Sequence, residues 1–269
     1  MHTPVPVLVT PVTWDAHFFE RHRAFAPIAP VAARFADEPS WPAVSTWSAH
    51  LEDLALRSGT GASLRFVEQP PRRRRAGSTP IEMTSIYDVR IHERGEVPSR
   101  ERNWHDFLNM LCWSTFSKSK AAISARQCSA IKRWIPAGST KLPGARTREQ
   151  DALAMLDEGG ALVPCLRDAA VEVDGAIASG DDAVLARIVE RGGARVIAFG
   201  HASYEHLVAR HPTVRAMPVT LPMDALPGDL AALVAVSDAA LAERLADTGF
   251  LLEPREDPAV PMRDELLAV

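Results

Sequence analysis

One short stretch of the chain, NWHDFLNMLCWSTF at residues 103–116, places three polar side chains among large apolar ones. His105 and Asn109 are four residues apart, so on a helix they share one face, and Asp106 lies beside them on the first turn. Polar groups carried into an interior must form hydrogen bonds or bind a ligand, since each one left unpaired costs about 1–3 kcal/mol. These residues are therefore either a structural hydrogen-bonded group or part of a ligand or metal site.

The residues around these three side chains predict a helix. Asn103 is a favourable N-cap, and Asp106, three residues later, occupies the capping-box position near the positive end of the helix dipole. Apolar residues cover nearly the whole circumference of this segment, a pattern typical of a buried helix. We therefore expect an α+β fold, mostly helical, with a few short strands or hairpins around a buried central helix over residues 103–116.

The rest of the chain is dominated by helical spacing. We expect N-terminal helices over residues 14–36 and 44–57, interrupted by prolines, a strand at 64–69, and an exposed loop at 70–80. Alternating residues in SIYDVRIHERGEVP, 85–98, predict a hairpin. A capped helix over 181–193, a short apolar strand at 194–200 and a helix after it follow. We interpret residues 1–269 as a single domain, with an N-terminal helical part to about 69, a motif-bearing core at about 81–220 and a C-terminal helical part at about 221–269.

Three blocks of the sequence resemble an uncharacterised bacterial family, the domain of unknown function thirty twenty-five. The blocks are GEVPSRERNWHDFLNMLCWSTFSKSKAAISARQ, REQDALAMLDEGG and IAFGHASYEHL, which lie in this order within about residues 87–207. The chain departs from the family pattern at Ser117 and Lys118, where Pro-Arg is usual, and at Gln150, where an Arg is usual. The matching positions are Pro98, Arg100, Trp104, His105, Asp106, Asn109, Lys120, Asp151, Asp157, Glu158, Gly200, His201 and Glu205.

The resemblance bears on one structural ambiguity. ALAMLDEGGALVP, residues 152–164, fits either a helix that ends at Gly159 and Gly160 or a hairpin with a tight glycine turn. The family's Thr and Phe in this block resemble a strand, which favours the hairpin and puts Asp157 and Glu158 at a strand end. His201 falls where a strand turns into a helix N-terminus, a junction that commonly positions reactive groups. The alternative for His201 is a hydrogen bond to the turn backbone.

The imidazoles and carboxylates that the resemblance groups together permit two kinds of chemistry. Two histidines with carboxylates suit a divalent metal such as Mn, Zn, Fe or Mg, which activates water and polarises a phosphoryl or carbonyl oxygen. Without a metal, a histidine oriented by a carboxylate is a general base near neutral pH. We expect catalytic roles for His105, Asp106 and His201, substrate binding by Arg100, Asn109 and Lys120, and metal binding by Asp151, Asp157, Glu158 and Glu205. No compact metal, dinucleotide, P-loop or esterase motif is present.

Charge and composition limit the classes of function. The net charge of −4 gives no reason to expect a nucleic acid or an anionic membrane as the main partner of the whole chain. Three cysteines without Cys-x-x-Cys spacing predict neither a disulfide framework nor a thiolate zinc cluster, which fits a reducing cytoplasm. No apolar segment is long enough to cross a membrane, and the N-terminus lacks a signal-peptide pattern, so we expect a cytoplasmic protein.

One segment is locally basic. Residues 117–148 contain no Asp or Glu and eight Lys or Arg, and Arg72 to Arg75 add four more charges on a loop. Such a surface suits phosphate or nucleic-acid backbones, although a solvated helix face and a disordered linker are alternatives. Three hypotheses remain: an enzyme with a His-carboxylate site, metal-dependent or not, that acts on a small anionic or phosphorylated substrate; a nucleic-acid-associated protein; and a module whose N-terminal helices bind a partner protein.

Overall fold

A computed structural model describes residues 13–69, 79–211, 213–254 and 259–268. Short 3-10 turns accompany the main elements near the N-terminus. The helices of the described part are α1 Ala29–Ala32, α2 Val44–His50, α3 Tyr87–Arg94, α4 Trp104–Thr115, α5 Ser117–Trp134, α6 Arg148–Gly159, α7 Ala170–Ser179, α8 Asp182–Glu190, α9 His201–Val208 and α10 Leu230–Ala246. Its strands are β1 Arg65–Glu68, β2 Glu96–Ser99, β3 Gly160–Leu166, β4 Ile197–Ala198, β5 Arg215–Met223 and β6 Val260–Pro261.

The strands form two small sheets, and helices make up most of the rest. β1 and β2 pair in parallel, with Phe66 opposite Val97. In the second sheet the order is β4-β3-β5-β6, with β3 and β5 parallel and the two outer strands antiparallel to their neighbours. β3 is buried from Gly160 to Cys165, as expected for a central strand covered on both faces. The α+β class expected from the sequence is therefore confirmed.

Helix α4 is the buried central helix. Trp104, Leu108 and Leu111 are buried, and so is the polar Asn109. The Asn103 side chain accepts a hydrogen bond from the Asp106 backbone N–H, which confirms the expected N-cap. A helix that is apolar nearly all round is stable only when other elements cover every side of it. Other elements cover both long faces of α4.

One long face of α4 packs into an aromatic cluster that consists of Trp14, Phe18, Phe35, Trp41, Trp47, Trp104 and Phe107. The Trp104 ring stacks on Trp14 with centroids 5.4 Å apart and meets Trp41 at 4.8 Å. Phe107 contacts Trp14 and Phe35 edge-on at 5.1 and 5.2 Å. Tilted and edge-on contacts are the arrangements that aromatic quadrupoles favour. The N-terminal residues thus bury their apolar groups against α4.

Two hairpins expected from the sequence are wrong. Residues 85–98 form helix α3 and then β2, because Ile86 and Val89, three residues apart, pack together against Cys128 and Ile131 of α5. Gly95 ends α3 with φ 66°, and a Cβ there would lie 2.3 Å from the Ser63 carbonyl oxygen.

The block at 152–164 is the end of helix α6 followed by β3, the alternative to a hairpin. Thr147 and Gln150 form a capping box that starts α6. This start signal outweighs the strand-like pattern expected from the family. Asp157 and Glu158 therefore lie in the last turn of a helix.

The remaining elements follow the sequence more closely. Strand 64–69 is confirmed by β1, helix 181–193 by α8, and the strand and helix around His201 by β4 and α9. Residues 14–36 form short 3-10 turns and α1 rather than a continuous helix, and α2 ends at His50. Cys112, Cys128 and Cys165 are buried thiols without disulfides. No helix within the described ranges has the length and apolar character needed to cross a membrane.

Candidate active site

A cavity of about 460 Å³ lies beside the polar face of α4, between α3, α5, α6 and α9. Seven of the ten site residues expected from the sequence line it: Arg100, His105, Asp106, Asn109, Asp157, Glu158 and His201. Lys120 and Glu205 lie behind this wall, bonded to residues that line it. Asp151 is exposed on α6 and does not line the cavity. The fold thus brings together side chains from all three blocks, including His105 and His201, which are 96 residues apart in sequence.

A pair of histidines forms one wall of the cavity. The Nε2 atoms of His105 on α4 and His201 on α9 are 3.0 Å apart. On the outer side, His105 Nδ1 lies 2.9 Å from Glu205 Oε2, and His201 Nδ1 lies 2.8 Å from the Asp157 carbonyl oxygen. The four groups form one continuous line of hydrogen bonds from a carboxylate to a helix-terminal carbonyl.

The hydrogen-bond line determines how many protons the histidine pair carries. A carboxylate and a carbonyl only accept, so the Nδ1 atoms of His105 and His201 must both be N–H donors. The contact between the two Nε2 atoms needs a third proton. Two neutral imidazoles carry two protons in total, and the line is complete only when one ring is an imidazolium. The geometry therefore fits a pair with one positive charge, balanced by the carboxylate of Glu205.

The surroundings place that charge on His105. Burial alone would lower the pKa of His105, but the hydrogen bond and negative charge of Glu205, with Asp106 and Glu158 further off, outweigh it and raise this pKa. Burial, together with the positive charge of Lys120, lowers the pKa of His201 to about 3. His201 is thus neutral and accepts from the His105 imidazolium through Nε2.

A buried ammonium group supports the base of the cavity. The side chain of Lys120 is 3% exposed, and its Nζ donates to Asn109 Oδ1 at 2.8 Å and to Asp157 Oδ1 at 2.5 Å. The amide of Asn109 donates in turn to the Tyr87 hydroxyl at 3.1 Å. Burial would raise the pKa of Asp157, but the Lys120 charge outweighs it and holds this pKa below its usual value. Lys120 therefore links Asn109 on α4 to Asp157 on α6.

Asp106 is held by an arginine rather than by a capping box. Its carboxylate accepts from the Arg100 backbone N–H at 2.6 Å and from the Arg100 guanidinium at 2.8 and 2.9 Å. Such a bidentate pair is geometrically specific and uses both carboxylate oxygens. The pair fixes the loop between β2 and α4 at the rim of the cavity.

The position of His201 depends on the contact between the end of α6 and the start of α9. At Gly200, just before α9, a Cβ would lie 2.4 Å from the Glu158 carbonyl oxygen, so only glycine permits this approach. The carbonyl of Asp157 lies in the last turn of α6, where carbonyls lack a partner within the helix. The His201 Nδ1–H supplies that partner.

The start of α5 is fixed from a distant part of the chain. Buried Asp238 on α10 accepts from the backbone N–H groups of Lys118 and Ser119 at 3.1 and 2.8 Å. The Ser119 hydroxyl also donates to the Asp238 carbonyl oxygen at 2.9 Å. A carboxylate at a helix N-terminus satisfies free N–H groups and stabilises the helix dipole. Asp238 thereby positions the first turn of α5, which carries Lys120.

The four expected metal ligands do not converge. Asp157 is paired with Lys120, Glu205 is bonded to His105, and Asp151 and Glu158 are exposed. Throughout the described ranges, no three His, Cys, Asp or Glu side chains are arranged to hold one metal ion. The imidazole nitrogens of the histidine pair are the groups best suited to a transition metal, because neutral imidazole is a common ligand of such ions.

Most of the basic segment is neutralised by carboxylates. Of its eight Lys and Arg residues, five form ion pairs, namely Lys120 with Asp157, Arg126 and Arg133 with Glu149, Lys132 with Glu93 and Arg148 with Glu253. The acidic partners come from outside the segment, so they are not visible in its local sequence. The basic loop Arg72 to Arg75 lies outside the described residues.

Three ionisable residues that line the cavity, Tyr87, Asp88 and Arg146, were not among the expected site residues. Tyr87 and Asp88 lie on α3 and line the cavity. The sequence pattern assigned this segment to a hairpin, so it did not predict that both side chains face the site. Burial, with the negative charge of Asp157, raises the pKa of Asp88 to about 6. Arg146 lies in the loop before α6, and among the described residues it forms no ion pair. Its place in the basic segment was the one sequence signal for it.

Comparisons with known proteins identify the family and no activity. No curated protein matches the chain, and no solved structure does either. The family described as "Protein of unknown function (DUF3025)" matches residues 64–263, which include every side chain of the histidine pair and its supports. The chain therefore belongs to the DUF3025 family.

Proposed function

We propose that this protein is an enzyme that acts on a small anionic substrate in the cavity, with the His105 and His201 pair as its proton-transfer group. The observation that carries the proposal is the line from Glu205 through both imidazoles to the Asp157 carbonyl. A histidine whose second nitrogen is held by a carboxylate has a fixed orientation and a stabilised charged form, as a general acid–base group requires.

The number of protons on the histidine pair determines which ring donates one. His105 starts as the imidazolium and donates through Nε2, so it is the general acid toward a leaving group or an oxyanion that displaces His201 from this contact. Glu205 stabilises the charge before transfer and orients the neutral ring after it. His201, held neutral by burial, keeps the proton on the His105 side. The pair then recovers its proton from water that reaches the cavity.

Other residues divide between substrate contact and positioning. Arg146 lines the cavity and forms no ion pair within the described part of the chain, although its positive charge opposes the rise in the pKa of the neighbouring Asp88. We assign Arg146 to the anionic group of the substrate. Arg100 and Lys120 form ion pairs with Asp106 and Asp157, so we assign both to positioning the residues of the cavity wall. Asn109 has the same role, since both ends of its amide are bonded.

Binding of small anions tests the proposal before any reaction is known. The metal-stripped protein is screened by thermal shift and calorimetry against inorganic phosphate and a panel of phosphorylated and carboxylated metabolites, and binders are examined for turnover. We expect Arg146→Gln to weaken binding about tenfold and His105→Gln to abolish turnover while binding is retained. Lys141→Gln, an exposed cation in the same loop, is the matched control and should change neither.

Two results would overturn the proposal. One is that no small anion binds. The other is that Arg146→Gln leaves binding unchanged and His105→Gln leaves turnover unchanged. Retention on DNA that weakens steeply with added salt would instead favour the nucleic-acid hypothesis, since release of counterions sets such affinities.

A further inference from the structure

The Nδ1 atoms of His105 and His201 make the kinds of hydrogen bond that are usual for histidines bound to a metal. Histidines that ligate metals almost always donate their second ring N–H to a carboxylate or a backbone carbonyl, which fixes the tautomer and directs the other nitrogen to the ion. His105 makes the first kind of bond, to Glu205, and His201 makes the second kind, to the Asp157 carbonyl. Both Nε2 atoms consequently face each other at the cavity wall.

The spacing of the two Nε2 atoms matches a pair of neighbouring ligands. Zinc lies about 2.0–2.1 Å from imidazole nitrogen, so two ligands 3.0 Å apart subtend an angle of about 90° at the ion. For both lone pairs to point at one ion beside the cavity, the two rings must turn away from the line that joins their Nε2 atoms. We infer that His105 Nε2 and His201 Nε2 bind one divalent transition-metal cation, of the Zn²⁺, Fe²⁺ or Ni²⁺ type, in place of the proton they share.

The exchange balances in protons and changes the charge of the wall. One cation enters and one proton leaves, after which both rings are neutral and keep their Nδ1–H bonds. The charge carried by the pair rises from one to two, while the carboxylate of Glu205 still compensates one. The wall then gains a net positive charge, which attracts an anionic ligand.

Two imidazoles leave most of the coordination sphere open. Within the described residues, no carboxylate, thiolate or further imidazole joins these two histidines as a third ligand. Water and substrate oxygen atoms would therefore occupy the remaining coordination positions. Imidazole ligands suit Zn²⁺, Fe²⁺ and Ni²⁺, whereas Mg²⁺ takes oxygen ligands. The inference rests on the proposed function only in that the anionic substrate would complete the sphere. With the ion bound, His105 Nε2 carries no proton to donate, so the general acid described above belongs to the metal-free protein.

Calorimetric titration of the chelator-stripped full chain tests the inference. We expect one Zn²⁺ or Ni²⁺ to bind per chain, and Mg²⁺, with the same charge, not to bind. Titrations in buffers of different ionisation enthalpy should show the release of about one proton per ion near neutral pH. Failure of both Zn²⁺ and Ni²⁺ to bind at micromolar concentration would overturn the inference.

Variants locate the ion. His105→Gln and His201→Gln should each weaken binding at least about tenfold, and Glu205→Gln should weaken it about tenfold through its effect on the His105 ring. The chain offers a matched control in His206 and His211, a second pair of imidazoles with ring centroids 5.7 Å apart. Binding that survives His105→Gln and His201→Gln but is lost in His206→Gln would place the ion at that second pair and refute the assignment. Thermal unfolding of every variant excludes loss of the fold as the cause.

The two proposals fail separately. If phosphate or a metabolite binds the metal-free protein through Arg146 and no cation binds, the acid–base enzyme stands and the metal site falls. If Zn²⁺ binds at the histidine pair and no anion binds with or without it, the metal site stands and the proposed enzyme falls.

Discussion

The two long faces of α4 are held in different ways. Toward the aromatic cluster, Trp104 and Phe107 contact rings of the N-terminal residues. All of these contacts are of one kind, between apolar rings. Toward the cavity, His105 is bonded to His201 and Glu205 on α9. Asn109 is bonded to Lys120 on α5 and Tyr87 on α3. The first face owes its stability to buried area, and the second to the pairing of charges and hydrogen bonds. One helix therefore supplies both the core and the site.

The largest expected effect lies in the aromatic cluster. Phe107→Ala should lower the free energy of unfolding by about 4 kcal/mol, since it removes a fully buried ring and leaves a cavity among rigid neighbours. Urea unfolding measures the change. Trp134→Ala removes a larger but half-exposed ring from α5 and should cost less than about 1 kcal/mol. Equal losses in the two variants would contradict the assignment of stability to this face of α4.

The next effect concerns the buried ion pair. Asp157→Ala should lower the free energy of unfolding by about 3 kcal/mol, because it leaves the Lys120 ammonium buried with Asn109 as its remaining partner. The double variant Lys120→Met and Asp157→Ala should recover most of this loss, since no charge is then stranded. A double-mutant cycle from urea unfolding measures the coupling. Additive losses would show that the pair is not energetically linked.

A third effect is the pH dependence of stability in metal-free protein. The folded-state pKa of His201 is depressed to about 3, so its contribution is complete above the unfolded-state pKa and is lost as pH falls below it. The depressed pKa of Asp157 adds a loss at lower pH. His105 has a raised pKa, and its contribution is instead lost as pH rises through the folded-state value.

Between about pH 6.5 and 5, the loss from His201 approaches about 1.4 kcal/mol per pH unit, or about 2 kcal/mol in total. Asp88, whose pKa burial raises to about 6, takes up a proton in the folded protein over the same range and offsets most of this loss. Urea unfolding at several pH values should show the His201 contribution as a difference: as pH falls over this range, His201→Gln should gain about 2 kcal/mol of unfolding free energy relative to the parent. His17→Gln, which changes an exposed histidine beside Glu20, should keep the slope of the parent. Parallel pH profiles of the parent and His201→Gln would contradict the buried neutral state of His201.

The smallest effect is expected at the surface of the basic segment. Arg148 pairs with Glu253 across two highly exposed side chains, and exposed pairs contribute about 0–1 kcal/mol. Arg148→Ala should therefore change the free energy of unfolding by less than about 0.5 kcal/mol in urea unfolding at moderate salt. A loss comparable to that of Asp157→Ala would mean that surface charge, not burial, sets the stability of this region.

The sequence predicts the apolar face of α4 better than its polar face. Asn103 and the all-round apolar pattern are local signals, so the buried helix and its cap were predictable. Glu205, Lys120 and Asp157 reach the site through tertiary contacts, and only the family resemblance grouped them. Tyr87 and Asp88 were missed because a period of two and a period near 3.6 are hard to separate over eight residues, and packing on α5 decides between them.

The contact between Asp238 and the start of α5 has a consequence for how the chain can be divided. The carboxylate that anchors the turn bearing Lys120 comes from α10, about 120 residues later. Helix α10 is therefore needed to position a residue of the site. Truncation before residue 229 removes every residue of α10 and frees two N–H groups in a buried turn. The motif-bearing blocks are thus not a transplantable module, and shuffling or fusion has to carry α10 along with them.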